Sequence, residues 1–386
     1  MRVAVNAEQL LYRSPGGIGR YTAALLTVLP GVETQMEPVP FTARHRAAEV
    51  EAALAGVGVA GAVRRRTVTL PWPRPLLYDA WHRAGRPRLA GRVGLEGLAV
   101  VHAPSVAVPP APRGGPPLVV TVHDAAPELF PEAFPRRGRR FHAEGLAAAA
   151  RRADLVIAVS EAAADEITYH SDIPAGRVRV VPNPVAVPEV DPAVRDRVLG
   201  EAGLRGRPYV LWVGSLEPRK GVGTLVAAMA RLRRRHAGSE VHTVLAGFEG
   251  WLGANLIDPS DRLVLGDSLR QLGRVGDEEL WCLYSGAALL AFPSLHEGFG
   301  LPVVEAMALG VPVVASDIPA VREVAGGAAL LVPPGDPDAW SEAIAGLLDD
   351  DAGRRRMAEA GRRRSADYSP DRWARRTWAV YQEIGS

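Results

Sequence analysis

The sequence predicts an α/β protein made of two doubly wound units, and three observations support this fold class. The chain has 386 residues, which is more than a single hydrophobic core usually holds. Short runs of Val, Leu and Ile alternate with Ala-, Arg- and Glu-rich segments of helical character, a pattern typical of parallel strands joined by crossover helices. Residues 182–192 contain four prolines, through which a strand or helix cannot continue.

These patterns also place the domain boundaries. We expect a first domain over residues 1–183, a linker over 184–207 and a second domain over 208–369. The expected strands of the first domain lie near 3–6, 100–103, 118–122, 155–159 and 179–181. Those of the second domain lie near 209–213, 242–246, 262–265, 288–292, 311–315 and 330–332.

The last segment, 370–386, has the pattern of an amphipathic helix. It begins at Pro370, and proline is well suited to the first turn of a helix. Trp373, Trp378 and Tyr381 follow on one helical stripe. The stripe predicts a helix that docks on another part of the protein.

Composition excludes several classes of protein. A hydrophobic content of 47% and a charged content of 23% are typical of a globular protein, and no apolar run is long enough for a membrane span. The chain opens on the strand-like RVAVN without the pattern of a secretion signal, so we expect a cytoplasmic protein. Cys282 is the single cysteine, which excludes an internal disulfide and a thiolate metal site and predicts a buried packing residue.

Positive charge is concentrated in the first half. Residues 1–186 contain 22 Arg against 16 acidic residues, whereas residues 187–386 contain 23 basic against 27 acidic residues. The window 64–92 holds eight arginines, the single acid Asp79 and the aromatic residues Trp72, Tyr78 and Trp81, and a second basic run comprises Arg136, Arg137, Arg139 and Arg140. These residues predict peripheral contact with an anionic membrane or an acidic acceptor. The alternative is a solvated loop produced by an arginine-rich coding bias.

The strongest local motif is SLHEGFGLPVVE at residues 294–305. An apolar strand leads into a glycine-containing loop, and Pro302 then stands in the first turn of a helix. The start of a helix favours anions, so the loop predicts a phosphate site formed by Gly298, Phe299, Gly300 and Leu301. Glu297 and Glu305 would then bind vicinal hydroxyls of a sugar; the alternative is that the first caps the helix and the second lies on the surface.

A second motif, GSLEPRKG at residues 214–221, follows the predicted strand 209–213. Arg219 and Lys220 are adjacent cations at the end of a strand, where they repel one another unless an anion lies beside them. Lys220 is also the only lysine in the chain. We expect both to bind a diphosphate, Arg219 through two hydrogen bonds and Lys220 as a point charge. The alternative is a solvated basic turn.

Two weaker motifs lie in the first half. Gly16 and Gly17 follow the first strand, where glycines let the backbone approach a phosphate or a sugar closely. His123 stands at the carboxyl end of the strand 118–122, where open α/β sheets bind their ligands, and it could donate a hydrogen bond to a sugar hydroxyl. The alternative is a histidine that packs in the core. His102, one strand earlier, gives a weaker signal.

The motifs together resemble a known family. The order GGIG, HDAAP, VVPNPV, VGSLEPRKG, LGRVGDEEL and HEGFGLPVVEAMALGVPVVAS is similar to that of family 4 retaining glycosyltransferases of the GT-B fold. The resemblance covers nearly the whole chain. It implies two facing Rossmann-like domains, with the acceptor bound by the first, a sugar nucleotide by the second, and a C-terminal helix that crosses back to the first.

The same resemblance implies roles for individual residues. Glu305 would bind the ribose hydroxyls, Glu297 the donor hexose, Arg219 and Lys220 the diphosphate, Gly16 and Gly17 its far side, His123 a hydroxyl near the reacting carbon, and Arg274 with Val275 the base. The expected catalytic residues are therefore His123, Glu297, Arg219 and Lys220. Two positions depart from the family. Ser215 stands where many members have an arginine, so Arg219 would act alone, and Gly221 stands where the subgroup with EPRK usually has Asn.

The implied reaction is transfer of a hexose, with retained configuration, to a hydroxyl of a glycan, a lipid-linked acceptor or a small molecule. We expect mannose from GDP-mannose, with UDP-glucose or another UDP-hexose as the alternative donor. No metal and no cofactor other than the donor are expected. The string Asp336-Pro337-Asp338 resembles a metal-binding acidic pair but is typical of a helix N-cap.

Functions of other classes would require different residues. A nicotinamide-dependent oxidoreductase would need a third glycine where Thr22 stands, and it would leave Arg219, Lys220 and the two glutamates without a role. A non-catalytic protein that binds sugar nucleotides stays open. Nucleic-acid binding is not expected, because the arginines do not interleave with aromatic residues on a recognisable module.

Overall fold

The computed structural model describes residues 1–31, 35–89, 94–110, 114–236, 240–248 and 256–385. The chain divides into two compact units, the first made of Met1–Pro184 with Ser369–Ser386 and the second of Val185–Tyr368. Each unit is a parallel sheet with helices packed against it, as in a Rossmann-like fold. The predicted α/β class with two doubly wound units is therefore confirmed.

The first unit contains a seven-stranded sheet of order β3-β2-β1-β4-β5-β6-β7. Its strands are β1 (Arg2–Asn6), β2 (Glu37–Thr42), β3 (Val68–Thr69), β4 (Val100–Ala103), β5 (Leu118–Val122), β6 (Leu155–Ala158) and β7 (Val178–Val180). Its helices up to residue 184 are α1 (Gly16–Thr27), α2 (Ala47–Gly56), α3 (Gly61–Arg64), α4 (Arg74–Ala84), α5 (Ala126–Leu129), α6 (Arg136–Arg152) and α7 (Glu161–His170). The strand order reverses between β1 and β4, which is where open α/β sheets bind ligands.

Strands β2 and β3 were not expected from the sequence. Pro38 and Pro40 argue against a strand, since proline cannot donate to a ladder. In the structure the Glu37 N–H donates to the Met1 carbonyl. The backbone N–H groups of the odd-numbered residues of β2 therefore point toward β1. The backbone nitrogens of the two prolines therefore point away from β1, toward the side on which β3 pairs only with Phe41 and Thr42. The missing donors lie where no ladder bond is required.

The second unit contains a six-stranded sheet of order β10-β9-β8-β11-β12-β13. Its strands are β8 (Tyr209–Val213), β9 (His242–Ala246), β10 (Leu269–Gly273), β11 (Leu289–Phe292), β12 (Val313–Ser316) and β13 (Leu330–Val332). Its helices are α8 (Pro192–Glu201), α9 (Val222–Arg235), α10 (Pro259–Leu265), α11 (Asp277–Gly286), α12 (Leu301–Leu309), α13 (Pro319–Ala325), α14 (Pro337–Asp349) and α15 (Asp351–Ser365). The order reverses between β8 and β11, so the loops after these two strands are neighbours.

Two segments of the second unit differ from the expectation. The strand expected at 262–265 is wrong, because these residues end helix α10, whose N-cap Asp258 accepts a hydrogen bond from the Ser260 N–H. The true strand, β10, follows it. The segment 184–207 was expected to be a linker, but it contains helix α8, which begins at Pro192 and is capped by Asp191. A proline at the first helical position starts a helix rather than ending one.

Helix α16 (Pro370–Ile384) belongs to the first unit although it follows the second in the chain. Trp373 and Tyr381 are fully buried in the same core as Val3, Leu25 and Ile157, and Trp378 packs at its edge. Among the described residues, no helix is both long and apolar enough to cross a membrane.

Candidate functional site

The loops after β8 and β11 bring three of the expected site residues together. Arg219 and Lys220 lie in a short 3-10 helix, Pro218–Lys220, and Glu297 lies in the loop before α12. The Lys220 Nζ donates to the Glu297 Oε1 at 2.6 Å, and the Arg219 Nη1 lies 3.7 Å from the Glu297 Oε2. We call these residues, with Glu217 described below, the ion-pair cluster.

The cluster is largely shielded from solvent. The side chains of Arg219 and Lys220 are each 15% exposed, and that of Glu297 is 10% exposed. Burial lowers the pKa of Lys220, and Glu297 only partly offsets this. Burial alone would raise the pKa of Glu297, but the charges of Lys220 and Arg219 outweigh it and the net shift is downward. Charges in such a sheltered position interact more strongly than on an open surface.

Backbone contacts between the two loops fix the cluster. The Leu295 N–H donates to the Arg219 carbonyl at 2.7 Å. Gly221 has a φ of 64°, and a Cβ there would lie 2.0 Å from the Pro293 carbonyl oxygen. Asn tolerates a positive φ, but it carries this Cβ and would clash. The close approach of the two loops therefore explains the glycine at position 221.

Glu217 is a member of the cluster that sequence reasoning missed. Its side chain is buried, its Oε2 accepts from the Arg219 Nε at 3.1 Å, and its Oε1 accepts from the Ser215 hydroxyl at 2.7 Å. Its position two residues before Arg219, across a proline, was the available signal. The cluster thus contains two carboxylates and two cations, whose formal charges cancel.

The loop before α12 has the expected course. Gly300, at a φ of 104°, is the N-cap of the helix, Leu301 is its first residue and Pro302 lies in its first turn. Gly298 and Phe299 are buried, and the Phe299 ring packs edge-on against Tyr368 with ring centroids 5.4 Å apart. These contacts hold the backbone at the start of the helix in place.

Glu305 is enclosed, which is against the alternative that it is an acid on the surface. It lies on α12 with 1% of its surface exposed, and its Oε2 accepts from the Tyr284 hydroxyl of α11 at 2.8 Å. It is therefore an enclosed carboxylate, and Tyr284 is a partner that the sequence did not indicate. Arg274 and Val275 lie between β10 and α11, where Arg274 is exposed and Val275 is half-buried.

Gly16, Gly17 and His123 belong to the first unit, whereas the residues of the ion-pair cluster belong to the second. Gly16 and Gly17 are exposed at the start of α1, and Gly16 has a φ of 61° with open space where a Cβ would be. The positive φ rather than crowding favours glycine at position 16. The exposed backbone leaves room for a ligand at this helix start.

His123 is oriented by the residues around it. Its Nε2 lies 2.9 Å from the Pro104 carbonyl oxygen, which only accepts, so Nε2 carries the proton. Burial lowers the pKa of His123, which keeps the ring neutral. A neutral ring then has only Nδ1 for a further hydrogen bond, and Nδ1 accepts. A hydroxyl that bonds to this Nδ1 therefore donates to it, the reverse of the direction expected from the sequence.

A buried chain of hydrogen bonds lies beside His123. The Thr121 Oγ1 is bonded to the Tyr21 hydroxyl at 2.9 Å and to the His102 Nε2 at 2.8 Å, and the His102 Nδ1 is bonded to the Tyr381 hydroxyl of α16. Burial lowers the pKa of His102 to about 3. The Tyr21 ring meets His123 edge-on at 5.2 Å between ring centroids. We call Tyr21, Thr121, His102 and Tyr381 the neutral chain.

The aromatic residues of the basic window are mostly core residues. Trp81 is fully buried and donates to the Pro87 carbonyl, and Tyr78 is buried against it. Of the three expected surface aromatics only Trp72 is exposed, at 41%. Arg136, Arg137 and Arg140 are exposed at the start of α6, Arg139 is half-buried, and Arg92 lies outside the described residues. The structure therefore corrects the predicted aromatic surface.

Two smaller expectations are settled by local contacts. Asp336 caps α14 by accepting from the Asp338 and Ala339 N–H groups, as the sequence predicts. Cys282 is buried. Within the described ranges, no group of three or more His, Cys, Asp or Glu side chains converges as metal ligands do.

Comparison with known proteins agrees with the fold and the motifs. Residues 15–188 match the family described as "Glycosyltransferase Family 4", and residues 200–364 match "Glycosyl transferases group 1". The chain is 32% identical to the O-antigen chain mannosyltransferase B of Escherichia coli over 267 residues, covering 68% of this chain and 70% of that protein. It is 31% identical to the MMP alpha-(1->4)-mannosyltransferase of Mycolicibacterium hassiacum over 381 residues, covering 93% and 85%.

A solved structure supports the same architecture. Anabaena HepE in complex with UDP and glucose superposes with a TM-score of 0.74 at 18% identity, covering 100% of both chains. At this identity the likeness bears on the fold alone. Together with the family matches and the two mannosyltransferase relatives, it shows that the chain belongs to glycosyltransferase family 4 and is a glycosyltransferase of the GT-B fold.

Proposed function

We propose that the protein transfers a hexose from a nucleoside-diphosphate sugar to an acceptor hydroxyl with retained configuration. One observation carries the site assignment: Arg219 and Lys220 lie together, largely buried, after the carboxyl end of β8, where the strand order reverses between β8 and β11. A diphosphate is an anion that two such cations bind well. Glu297 is hydrogen-bonded to Lys220, so its carboxylate lies beside the proposed diphosphate site. We propose that it accepts hydrogen bonds from hydroxyls of the donor hexose.

The chemistry follows from charge. The bond between the anomeric carbon and the phosphate oxygen breaks, and the acceptor oxygen bonds to that carbon on the same face. The acceptor proton passes to the departing phosphate. Negative charge grows on the diphosphate during this step, and Arg219 and Lys220 offset it. We propose no metal ion and no cofactor besides the donor.

Mannose from GDP-mannose is the proposed donor. Its support is that two relatives at 31% and 32% identity are named mannosyltransferases. A UDP-hexose is the second candidate, because HepE was solved with UDP and glucose. A non-catalytic sugar-nucleotide-binding protein would bind the same donors without transferring the sugar.

The acceptor is proposed to be a hydroxyl of a glycan, a lipid-linked molecule or a small molecule. Peripheral contact with an anionic membrane is supported by the exposed Arg136, Arg137 and Arg140 and by Trp72, but no longer by Trp81 or Tyr78. Cosedimentation with anionic and neutral vesicles at low salt tests it. Equal binding to both kinds of vesicle would favour an acceptor away from the membrane.

Thermal unfolding with GDP, UDP, GDP-mannose and UDP-glucose tests the function. A ligand at 100 times its Kd stabilises the native state by about 2.7 kcal/mol, so the bound base is identified by the melting temperature that rises. A rise with GDP-mannose and GDP supports the proposal, and a rise with UDP compounds alone selects the alternative. No rise with any compound contradicts the donor site.

Product analysis then tests the reaction itself. Proton NMR should show an α-linked product, and turnover should persist in excess chelator. A β-linked product contradicts retention, and activity that needs added magnesium contradicts metal independence. Donor binding without any transferred sugar, across a panel of acceptors, would identify the non-catalytic alternative.

A further inference from the structure

We infer that Glu217 is a positioning residue that orients the guanidinium of Arg219 toward the donor diphosphate, and that Ser215 holds Glu217 for this task. The inference rests on the proposed function, since it requires a nucleoside diphosphate at Arg219. The family resemblance implies no role for Glu217 and identifies Ser215 only as the replacement of an arginine.

The contacts form a short relay along the turn after β8. The Ser215 hydroxyl donates to one carboxylate oxygen of Glu217 at 2.7 Å, and the other oxygen accepts from the Arg219 Nε at 3.1 Å. The Arg219 Nη1 donates to the His296 carbonyl at 3.4 Å. Two different nitrogens of Arg219 are therefore fixed, one by each loop. Because the guanidinium is planar, two fixed nitrogens set the orientation of the whole group.

An oriented guanidinium binds a diphosphate better than a mobile one. Arginine loses much rotamer freedom when it is held in one geometry, and a side chain that is already ordered avoids that loss on binding. Glu217 supplies this order, although its negative charge opposes an incoming anion. The two effects act in opposite directions, so they can be separated by substitutions that remove only one of them.

The relay also explains how the chain functions without an arginine at position 215. A serine cannot contact a diphosphate as an arginine does, but its hydroxyl is bonded within the cluster. We therefore assign Ser215 an indirect role through Glu217 and Arg219. The backbone of the turn also has a hydrogen bond that uses no side chain, from the Lys220 N–H to the Glu217 carbonyl at 3.0 Å.

A double-mutant cycle measures whether Glu217 acts through Arg219. GDP and UDP are titrated by calorimetry into the wild type, Glu217→Ala, Arg219→Ala and the double variant. We expect Arg219→Ala to weaken affinity by about 10- to 100-fold and Glu217→Ala by about tenfold. In the Arg219→Ala background, Glu217→Ala should not weaken binding further, because the group that it orients is absent and only its opposing negative charge is removed.

Two conservative variants refine the result. Glu217→Gln can accept from the Arg219 Nε and donate to the Ser215 oxygen, so it keeps the orientation and removes the opposing charge. It should bind the diphosphate at least as tightly as the wild type. Ser215→Ala keeps the charge but frees the carboxylate, and should weaken binding by about two- to fivefold. Asp336→Ala is the matched control, because it removes a helix-capping acid of the same unit without touching the cluster.

The possible results separate the inference from the proposed function. If the wild type binds neither GDP nor UDP, the proposed function fails. If Arg219→Ala leaves affinity unchanged, the diphosphate site is wrong. If Glu217→Ala weakens binding equally in both backgrounds, or if Glu217→Gln is as weak as Glu217→Ala, the positioning role is overturned. Unfolding curves of every variant show whether a loss of binding reflects a loss of folded protein.

Discussion

The two units stabilise their buried polar groups in opposite ways. The neutral chain of the first unit joins uncharged side chains, and burial lowers the pKa of its histidine so that no charge forms near neutral pH. The ion-pair cluster of the second unit buries two cations with two carboxylates. The first arrangement is sensitive to acid, whereas the second is sensitive to the loss of any one charge. The difference fits a structural role for the chain and an anion-binding role for the cluster.

The largest expected effect comes from breaking the cluster. Lys220→Met removes one charge and leaves Glu297 buried beside a single cation, which should lower the free energy of unfolding by about 3–5 kcal/mol. Denaturant unfolding measures this. The double variant Lys220→Met/Glu297→Met should recover most of the loss. If the single variant is as stable as the wild type, the charges are not buried as described.

Acid should affect the neutral chain next. The pKa of His102 falls from 6.5 to about 3 on folding, so the unfolded state takes up a proton first as the pH drops. His102 therefore contributes stability that is complete above pH 6.5 and is lost as the pH falls toward 3, by about 3 kcal/mol at pH 4. His102→Gln should flatten the decline of stability between pH 6 and 4. An equally steep decline in that variant would contradict the prediction.

Matched Tyr→Phe substitutions compare a tyrosine bonded to a carboxylate with a tyrosine bonded to a hydroxyl. Tyr284→Phe removes the donor to the enclosed Glu305 carboxylate, and Tyr21→Phe removes the bond to Thr121. We expect losses of about 2 kcal/mol for Tyr284→Phe and about 1 kcal/mol for Tyr21→Phe, since hydrogen bonds to a carboxylate are stronger than those to a hydroxyl. Denaturant unfolding of both variants provides the measurement. The reverse order would contradict the assignment of the stronger hydrogen bond to Tyr284.

The smallest effect is expected for an ion pair on the surface. The ion pair between Arg179 of β7 and Glu383 of α16 joins these two elements. The two side chains are 36% and 43% exposed. Arg179→Ala should cost about 0.5 kcal/mol at low salt, and this cost should vanish in 1 M salt because exposed charges are screened. The loss in Lys220→Met should persist in the same salt. A salt-resistant cost at Arg179 would remove the distinction between exposed and buried pairs.

The sequence predicted the parts of the site that depend on local spacing. Arg219, Lys220 and Glu297 follow strand ends whose positions the hydrophobic runs indicate, and parallel topology brings adjacent strand ends together. Glu217 was missed because its role depends on which way its side chain turns within the loop. Tyr284 was missed because it approaches Glu305 from another helix, and sequence spacing carries no information about such contacts.

The errors in the fold have similar causes. Strand β2 contains two prolines that usually exclude a strand, and their acceptability depends on which side of the sheet lacks a partner. The segment 262–265 is apolar enough for a strand, yet the Asp-Pro pair before it starts a helix. Tyr78 and Trp81 occur among arginines, but the helix turns both rings into the core while the charges remain outside.

The position of α16 has a consequence for the synthesis of the protein. The second unit is continuous in the chain, whereas the first requires a helix made after residue 368. At typical translation rates the ribosome takes about 10–40 s to produce the 184 residues from Val185 to Tyr368. During that interval the nascent first unit exposes the apolar surface that Trp373 and Tyr381 later cover. We therefore expect chaperones to bind this apolar surface, and aggregation to begin there, until the last helix has been synthesised.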